Sequence, residues 1–308
     1  MSYTFASIPD LTGRVAVVTG ANGGLGLSTT KAFAGAGAHV VMAARDQAKA
    51  ADARAEILTA VPAASLEVVE LDLGSLASIE QAASSILSTY EQIDVLVNNA
   101  GLMAMPERAT DDGFEMQLGV NHLGHWALTA RLMPAVLRAD AARVVTVSST
   151  ARHMGRALRA DNPHLHGRYK PWRAYGQSKL ANWHFALGLQ REFDRVGISA
   201  ASLVAHPGLT SSDLQARTVR EGGGGPAAGF FHRMTALTGM RPDHGALPQI
   251  RAATDPTARG GRLYAPRFVN SGAAVRRPVL RRIGLSRAIA TLWEVSERET
   301  GIALDIYA

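Results

Sequence analysis

The sequence predicts an α/β protein built on one doubly wound parallel sheet with helices on both faces. Three observations support this prediction: strand-like apolar runs alternate with helical stretches, a glycine-rich turn follows the first run, and polar motifs follow several later runs. Alternating β and α segments favour a parallel sheet, because each crossover helix packs back onto the sheet. We expect seven strands in a single domain that spans residues 1–308.

Length and composition are those of a globular protein with a full hydrophobic core. The chain has 308 residues, of which 47% are apolar, and it contains 30 glycines and no cysteine. No apolar run approaches the ~20 residues that span a bilayer, and the N-terminal residues lack the basic and apolar regions of a signal peptide. We therefore expect a cytoplasmic protein without stable membrane insertion. The absence of cysteine excludes disulfides and thiolate chemistry.

The first predicted strand leads into a glycine turn. Val15–Val18 is a short β-branched run, Thr19–Gly26 follows it, and a helix is predicted at Leu25–Ala36. This strand–turn–helix order is typical of a dinucleotide site in a Rossmann-type fold. Glycines allow the backbone to approach a pyrophosphate, whose charge would meet the free amides of the helix N-terminus. The cofactor contacts expected in this turn are Gly20, Asn22, Gly24, Leu25 and Gly26.

The end of the second predicted strand, Val40–Ala43, indicates the choice of cofactor. A carboxylate there would bind the ribose 2′-hydroxyl of NAD(H), but the chain has Ala44 and then Arg45. A guanidinium suits a 2′-phosphate, which favours NADP(H) over NAD(H). The alternative is a solvated arginine at a strand end. Asp46 is better placed to cap the helix predicted at Gln47–Leu58.

The remaining periodic segments extend the same alternation. Further strands are predicted at Leu66–Leu71, Ile93–Val97, Val144–Val147, Ile198–Val204 and Gly261–Tyr264, and further helices at Leu76–Ser88, Phe114–Leu137 and Arg173–Phe193. Ligands of doubly wound sheets bind outside the carboxyl ends of the strands. Four motifs follow strands and should therefore meet at one edge: Thr19–Gly26, Asn98–Gly101, Ser148–Ser149 and His206–Gly208.

Tyr175 and Lys179 are four positions apart in a predicted helix, so their side chains share one face. A phenol with a pKa of ~10 is a weak acid and a weak base at neutral pH. A neighbouring ammonium favours the phenolate, and we therefore expect Lys179 to lower the pKa of Tyr175. The spacing alone is a weak signal, because exposed helices carry such pairs by chance. Ser149 and the glycine turn strengthen it.

Taken together, these motifs resemble the short-chain dehydrogenase/reductase family over about residues 12–212. The matching positions are Thr19, Gly20, Gly24 and Gly26 of the glycine turn, followed by Asn98–Gly101, Asn121, Ser149, Tyr175, Lys179, Pro207 and Gly208. Within the family, Val120–Trp126 and the long gap before Tyr175 resemble the retinol dehydrogenase and protochlorophyllide reductase branch. Ser149 and Tyr175 are 26 positions apart, about twice the usual separation in the family.

The resemblance implies catalytic roles for four residues. Tyr175 would exchange a proton with the reacting oxygen, and Lys179 would lower its pKa and bind the nicotinamide ribose. Ser149 would hydrogen-bond the reacting oxygen. Asn121 would hold a water that links Lys179 to solvent. It could also be bonded to backbone as a helix-interior amide, and both roles can hold together. The implied cofactor contacts beyond the glycine turn and Arg45 are Asp72, Leu73, Asn99, Ala100, Gly101, Tyr175, Lys179, Pro207 and Gly208.

The implied activity is the NADP(H)-dependent interconversion of a small-molecule carbonyl and an alcohol. Two alternatives stay open: a catalytically silent NADP(H)-binding sensor and a carbon–carbon double-bond reductase. The intact set of Asn, Ser, Tyr and Lys argues against a sensor. The lack of cysteine argues against the pigment chemistry of the protochlorophyllide branch. The sequence indicates neither the direction of the reaction nor the identity of the substrate.

The substrate side of the pocket is expected to come from two segments. An insert at Ala151–Arg173 and an excursion at Ser212–Met240 both leave the strand ends that carry the chemistry. The run Gly222–Gly225 suggests a hinged lid, with a lipophilic substrate beneath its apolar residues Phe230, Phe231 and Met234. The alternative is that these residues pack on the core or on a second subunit of a homodimer or homotetramer.

The net charge of +6 is unevenly distributed. Seven arginines and no acid lie between Arg262 and Arg287, and a second basic stretch lies between Arg152 and Arg173. Without interleaved aromatics or a nucleic-acid-binding module, a solvated basic surface is favoured and no nucleic-acid partner is expected. His122 and His125 are three positions apart but have no evident third ligand, so no metal site is predicted.

Overall fold

A computed structural model describes residues 2–211, 218–224, 239–279 and 283–307 of the protein. Its centre is one sheet whose strands are β1 (Val15–Thr19), β2 (His39–Ala44), β3 (Ser65–Glu70), β4 (Val95–Asn98), β5 (Arg143–Val147), β6 (Ala201–Ala205), β7 (Leu263–Pro266) and β8 (Ala274–Arg277). The spatial order is β3-β2-β1-β4-β5-β6-β7-β8. Because β1 pairs with both β2 and β4, the strand order reverses there, which is the ligand-binding position of Rossmann-type sheets.

The described sheet has eight strands, so the prediction of seven was wrong by one. The first seven run parallel, and β8 pairs antiparallel with β7 at the edge. Only Ala274 of β8 is buried, and the strand ends in Arg276 and Arg277. It therefore lacks the apolar run by which a buried strand is recognised. Charged residues are common on edge strands because they discourage pairing with another chain.

The sheet is covered by α1 (Gly24–Gly35), α2 (Gln47–Ala60), α3 (Leu76–Thr89), α4 (Gly124–Arg138), α5 (Pro171–Val196), α6 (Pro242–Thr254) and α7 (Leu285–Thr300). As predicted, Asp46 caps α2, accepting a hydrogen bond from the Lys49 amide at 3.0 Å. Gly197 ends α5 in the left-handed conformation. None of the helices that the structure describes is long and apolar enough to cross a bilayer.

The helix predicted at Phe114–Leu137 is broken near its start. One α-helical turn (Met116–Leu118) is followed by a π-helical turn (Gly119–Leu123), and only then does α4 begin. A Cβ at position 119 would lie 2.6 Å from Thr110 Cγ2, so a residue larger than glycine would clash here. The π turn carries Asn121, and π turns are frequent at functional sites.

Apolar side chains fill both faces of the sheet. On one face, Val17 and Leu96 pack with Trp126 of α4 and Phe185 of α5. On the other face, alternate strand residues pack under α1, α2 and α6. The sequence did not predict α6 or α7. α7 packs on the outside of α5. Its Trp293 contacts α5 at Gly188, where any side chain would overlap the indole.

Candidate active site

A cleft of about 1290 Å³ runs along the carboxyl ends of the parallel strands. Most of the predicted site residues line it: Gly20, Asn22, Gly24, Leu25, Arg45, Asp72, Leu73, Asn99, Ala100, Gly101, Ser149, Tyr175, Lys179, Pro207 and Gly208. Gly26 and Asn121 stand behind its wall. The four strand-end motifs therefore meet at one edge, because parallel strands bring their carboxyl ends together.

The glycine turn has the shape that a pyrophosphate requires. Gly20 and Gly24 have φ angles of 65° and 51°, in the left-handed region that favours glycine. A side chain at Gly26 would overlap the carbonyl oxygen of Gly20, so this glycine lets α1 start directly against the turn. α1 begins at Gly24, and the free amides of its first turn lie at this end of the cleft. These residues fit a dinucleotide phosphate.

Two cationic side chains line the cleft beyond β2. The Arg45 guanidinium lies 3.5 Å from Asp72 Oδ2 and is 57% exposed, so most of it is available to a ligand. Lys49, in the first turn of α2, lines the same part of the cleft. Lys49 was not predicted from the sequence. Its position three residues after the cap Asp46 could have indicated it, because the first turn of α2 faces the edge of the sheet where the cofactor is expected.

Tyr175 and Ser149 both line the opposite side of the cleft, close enough for Ser149 to influence the pKa of the phenol. Tyr175 lies in the second turn of α5 and is only 5% exposed. Burial raises the pKa of Tyr175 to about 12, and the hydrogen bond with Ser149 acts in the opposite direction. Ser149 also accepts a hydrogen bond from the Ala151 amide at 3.2 Å. It thereby caps a 3₁₀ turn (Thr150–His153) that leads into the insert.

Lys179 lies on the same face of α5 as Tyr175, and its Nζ is 6.0 Å from the centroid of the tyrosine ring. The ammonium donates to the carbonyl of Val147 at 3.2 Å. Burial lowers the pKa of Lys179 to about 8. The prediction that Lys179 lowers the pKa of Tyr175 was therefore wrong for this structure. Both groups are removed from water, and desolvation disfavours each charged form.

Asn121 is bonded within the protein on all sides of its amide. Its Nδ2 donates to the Leu102 carbonyl at 2.9 Å and to Ser178 Oγ at 2.8 Å, and its Oδ1 accepts from the Leu102 amide at 2.7 Å. Of the two predicted roles, the packed amide is the one described by these contacts. Asn121 thus links Leu102, in the segment after β4, to Ser178 of α5, which directly precedes Lys179. A water on Asn121 stays a prediction.

Buried and half-buried hydrogen bonds attach the insert to the rest of the protein. Gln177 Nε2 donates to the Pro163 carbonyl at 2.7 Å, and the Tyr169 hydroxyl donates to the Met105 carbonyl at 2.7 Å. His164 Nε2 lies 2.9 Å from Glu299 of α7. The last residues of the predicted insert, from Pro171, belong to the first turn of α5. Trp172 in that turn and Met154 both line the cleft.

Residues 218–224, which we call the strap, form another wall of the cleft. Thr218 Oγ1 donates to the Met103 carbonyl at 2.7 Å, and the Gly224 amide donates to the Ala104 carbonyl at 2.9 Å. Trp172 Nε1 donates to the Gly224 carbonyl at 3.2 Å. Sequence reasoning missed Leu102 and Met103, which line the cleft. The predicted lid residues Phe230, Phe231 and Met234 lie outside the described residues.

The histidines near the site are packed side chains. His122 Nε2 lies 2.8 Å from Ser296 Oγ, and His125 Nε2 lies 2.9 Å from Thr19 Oγ1. Burial lowers the pKa of both rings, to about 3 and about 4 respectively. Within the described ranges, no three His, Asp or Glu side chains are grouped as metal ligands.

Comparison with known proteins agrees with this geometry. Residues 14–222 match the family model for short chain dehydrogenase. The chain is 39% identical to mouse (Mus musculus) polyprenol dehydrogenase over 265 residues, covering 82% of this chain and 75% of that protein. It is 41% identical to human (Homo sapiens) retinol dehydrogenase 11 over 208 residues, covering 68% and 64%. These relatives confirm the predicted resemblance to retinol dehydrogenases.

Among solved structures, a crystal structure of an uncharacterized protein from Mycobacterium paratuberculosis superposes with a TM-score of 0.79 at 37% identity. The match covers 99% of this chain and all of that one. Strand order, the glycine turn and the family match lead to the same conclusion. The chain belongs to the short-chain dehydrogenase/reductase family of oxidoreductases.

Proposed function

We propose that this protein is an NADP(H)-dependent oxidoreductase that interconverts a carbonyl and an alcohol on a bulky, lipophilic substrate. The observation that carries the proposal is that Ser149, Tyr175 and Lys179 line the same cleft as the glycine turn, with Lys179 on the same helix face as Tyr175. A phenol near a hydroxyl beside a dinucleotide site is suited to proton exchange with a reacting oxygen.

The chain's own groups supply the proton and the polarisation. A bound nicotinamide supplies or accepts the hydride. With a pKa of about 12, Tyr175 keeps its proton at neutral pH and is ready to donate it to the oxygen of a carbonyl under reduction. Ser149 donates a second hydrogen bond to that oxygen and stabilises the charge developing there. Lys179 would bind the ribose hydroxyls of that cofactor. Its Nζ lies beside Gly101, where an added Cβ would be 3.3 Å away.

Two side chains support NADP(H) as the cofactor. Arg45 and Lys49 both line the cleft beyond β2, and no carboxylate ends β2. Asp72 is ion-paired with Arg45 at 3.5 Å and lines the same cleft. A 2′-phosphate would gain charge-assisted hydrogen bonds from both cations.

The substrate side supports a bulky apolar compound. Met103, Met154, Trp172 and Val219 line the cleft beyond Ser149 and Tyr175. Two of the relatives are named for the oxidation of polyprenol and of retinol, which are long apolar alcohols. An apolar wall favours such chains through the burial of apolar surface, at about 25 cal/mol per Å².

Replacing the phenol tests the proposal. We expect Tyr175→Phe to lower kcat by about 10²- to 10⁴-fold, the usual contribution of general acid–base catalysis, while NADPH binding stays nearly unchanged. Tyr90→Phe is the matched control, because it removes a phenol hydroxyl bonded to Glu67, away from the cleft. The assay would follow NADPH oxidation with an α,β-unsaturated long-chain aldehyde and identify the product.

Each outcome selects one function. An allylic alcohol as product supports the proposal, whereas a saturated aldehyde indicates the double-bond reductase. NADPH binding without turnover of any carbonyl tested indicates the sensor. A Tyr175→Phe protein that keeps most of its activity would show that the proposed proton donor is wrong.

A further inference from the structure

His125 connects the cofactor edge of the sheet to Asn121. The ring is buried in the first turn of α4, with Nδ1 at 3.0 Å from the main-chain carbonyl of Asn121. Its Nε2 lies 2.9 Å from Thr19 Oγ1, at the end of β1. Thr19 Oγ1 in turn accepts hydrogen bonds from the amides of Asn99 and Ala100, at 2.9 Å and 3.0 Å.

In this hydrogen-bond network, the acceptors determine which atom donates in each bond. A carbonyl oxygen only accepts, so Nδ1 of His125 carries the ring proton, and Nε2 of the neutral ring is an acceptor. Thr19 therefore donates its single hydroxyl proton to Nε2, since the other available acceptor, the Val97 carbonyl, is at 3.3 Å. The two lone pairs of the Thr19 hydroxyl are then used by the amides of Asn99 and Ala100.

The neutral ring is the stable form in this position. Burial lowers the pKa of His125 to about 4, and the charge of Lys179 acts in the same direction. A protonated ring would present two donors, and Thr19 would then have to turn its proton to Val97. At neutral pH the network therefore has one arrangement, with Nδ1 protonated.

Asn121 transmits the position of His125 to the proposed reaction centre. Its side chain binds both polar backbone atoms of Leu102 and the hydroxyl of Ser178, next to Lys179. A side chain on Gly101 would lie 3.0 Å from Asn121 Oδ1 and 3.3 Å from Lys179 Nζ. The main chain after β4 is thus hydrogen-bonded to Thr19 at Asn99 and Ala100, and to Asn121 at Leu102.

We propose that His125 is a positioning residue that holds the strand ends of β1 and β4 in register with Asn121, and through Asn121 with Lys179. The inference rests on the proposed function, because Asn99–Gly101 is the expected wall of the nicotinamide ribose. His125 is not one of the residues that line the cleft. It acts by fixing the distance between the cofactor edge and the helix that carries Tyr175.

Two phenylalanine variants separate this role from simple packing. His125→Phe keeps a buried aromatic ring but removes both hydrogen bonds, and the control below carries the same increase in side-chain volume. His122→Phe is the matched control, because His122 is equally buried three residues earlier but bonds Ser296 of α7, away from the cleft. We expect His125→Phe to lower kcat by about 10- to 100-fold, the scale of a misplaced catalytic group, and to weaken NADPH binding by about tenfold. His122→Phe should change neither, although both variants lower the melting temperature.

A conservative variant and a spectroscopic signature complete the test. His125→Gln retains one donor and one acceptor, so it should recover part of the kcat lost in His125→Phe. Nitrogen-15 NMR of the wild-type protein should show a protonated Nδ1 and an unprotonated Nε2 for His125 between pH 6 and pH 8, about two units or more above its lowered pKa. This signature reports the network whether or not either phenylalanine variant folds.

The outcomes distinguish this proposal from the proposed function. A protonated Nε2, or equal kcat and NADPH affinity in His125→Phe and His122→Phe, would overturn the positioning role. If Tyr175→Phe is inactive while His125→Phe is fully active, the proposed function stands and the role of His125 falls. If the wild-type protein reduces no carbonyl, the proposed function fails, and the tautomer and the NADPH affinity still decide the role of His125.

Discussion

At the scale of single residues, burial controls the protonation of the proposed catalytic pair. Tyr175 and Lys179 are both at most 5% exposed, and desolvation moves their pKa values in opposite directions, each toward the neutral form. The i, i+4 spacing predicts that the two side chains share a face, and the structure places them on one. The spacing carries no information on how much water surrounds them. The phenol is therefore held in its protonated form, which is the form that donates a proton.

Arg45 provides the residue-scale prediction of cofactor choice. We expect Arg45→Ala to weaken NADPH binding by about 10- to 100-fold, because a charged hydrogen bond contributes ~1.5–3 kcal/mol. NADH binding should change little. Ala44→Asp combined with Arg45→Ala should reverse the preference, since a carboxylate repels the 2′-phosphate and binds a 2′-hydroxyl. Fluorescence titration with both reduced cofactors measures the effect.

The control for Arg45 is Arg195→Ala, which removes the same charge from the surface end of α5, where Arg195 pairs with Glu192. It corrects for the general attraction between a basic protein and an anionic cofactor. Equal losses of NADPH affinity in the two variants would refute a specific role for Arg45, as would tighter binding of NADH by the wild-type protein.

At the scale of elements, the break before α4 depends on a buried carboxylate. Glu115 accepts hydrogen bonds from the amides of Gln117 and Leu118, at 2.8 Å and 2.7 Å, and thereby caps the single α-turn before the π turn. Burial raises the pKa of Glu115 to about 7, although both amides and Tyr169 act in the opposite direction. The cap that starts this element therefore titrates near neutral pH.

The linkage between Glu115 and folding predicts a pH dependence of stability. Because the folded pKa is about 7 against an ordinary 4.5, the contribution of Glu115 is fully present below pH 4.5. It is lost as the pH rises to 7, with a slope of at most about 1.4 kcal/mol per pH unit. Glu115→Gln should remove this slope. Urea denaturation of both proteins at pH 5, 6, 7 and 8 measures the difference.

Glu80→Gln is the control for the stability series, because Glu80 is 59% exposed and pairs only at the surface with Arg131. Its unfolding free energy should follow that of the wild-type protein across the series. A constant difference between the wild-type protein and Glu115→Gln at all four pH values would contradict the prediction.

At the scale of the whole molecule, the substrate wall is made from segments that are far apart in the chain. The strap contacts Met103 and Ala104 after β4 and Trp172 at the start of α5. A side chain at Gly223 would overlap the Ala104 carbonyl, so this glycine allows backbone to meet backbone. In the strap, Gly223 serves close packing, which differs from the hinge role that the glycine run suggested.

We expect Gly223→Ala to displace the strap and raise KM for a long-chain aldehyde by about tenfold, equivalent to ~1.4 kcal/mol of lost binding. NADPH affinity should be unchanged, because the glycine turn is at the other end of the cleft. Gly222→Ala is the control: Gly222 has a φ of 74° but nothing within 4 Å of an added Cβ, so it adds local strain without a clash. Equal KM values in the two variants would contradict the role of the strap.

Several properties of the whole molecule remain predictions of the sequence. These are a single domain, a cytoplasmic location and assembly as a homodimer or homotetramer. The basic stretch from Arg262 includes the edge strand β8, whose arginines border the sheet. The effect of the long insert between Ser149 and Tyr175 on the choice of substrate is likewise a prediction.

The doubly wound parallel sheet and the edge at which the motifs meet could be predicted from the amino-acid sequence alone. These follow from local patterns: Val15–Val18 before a glycine turn, helical spacing after it, and polar residues at strand ends. Tertiary structure decided what depends on neighbours distant in the chain. The pKa values of Tyr175 and Lys179 depend on burial, and the network of His125 joins Thr19, Asn99 and Asn121, which no local pattern relates. Local periodicity reports which side of an element is apolar, whereas desolvation and hydrogen-bond closure are set only when the layers pack.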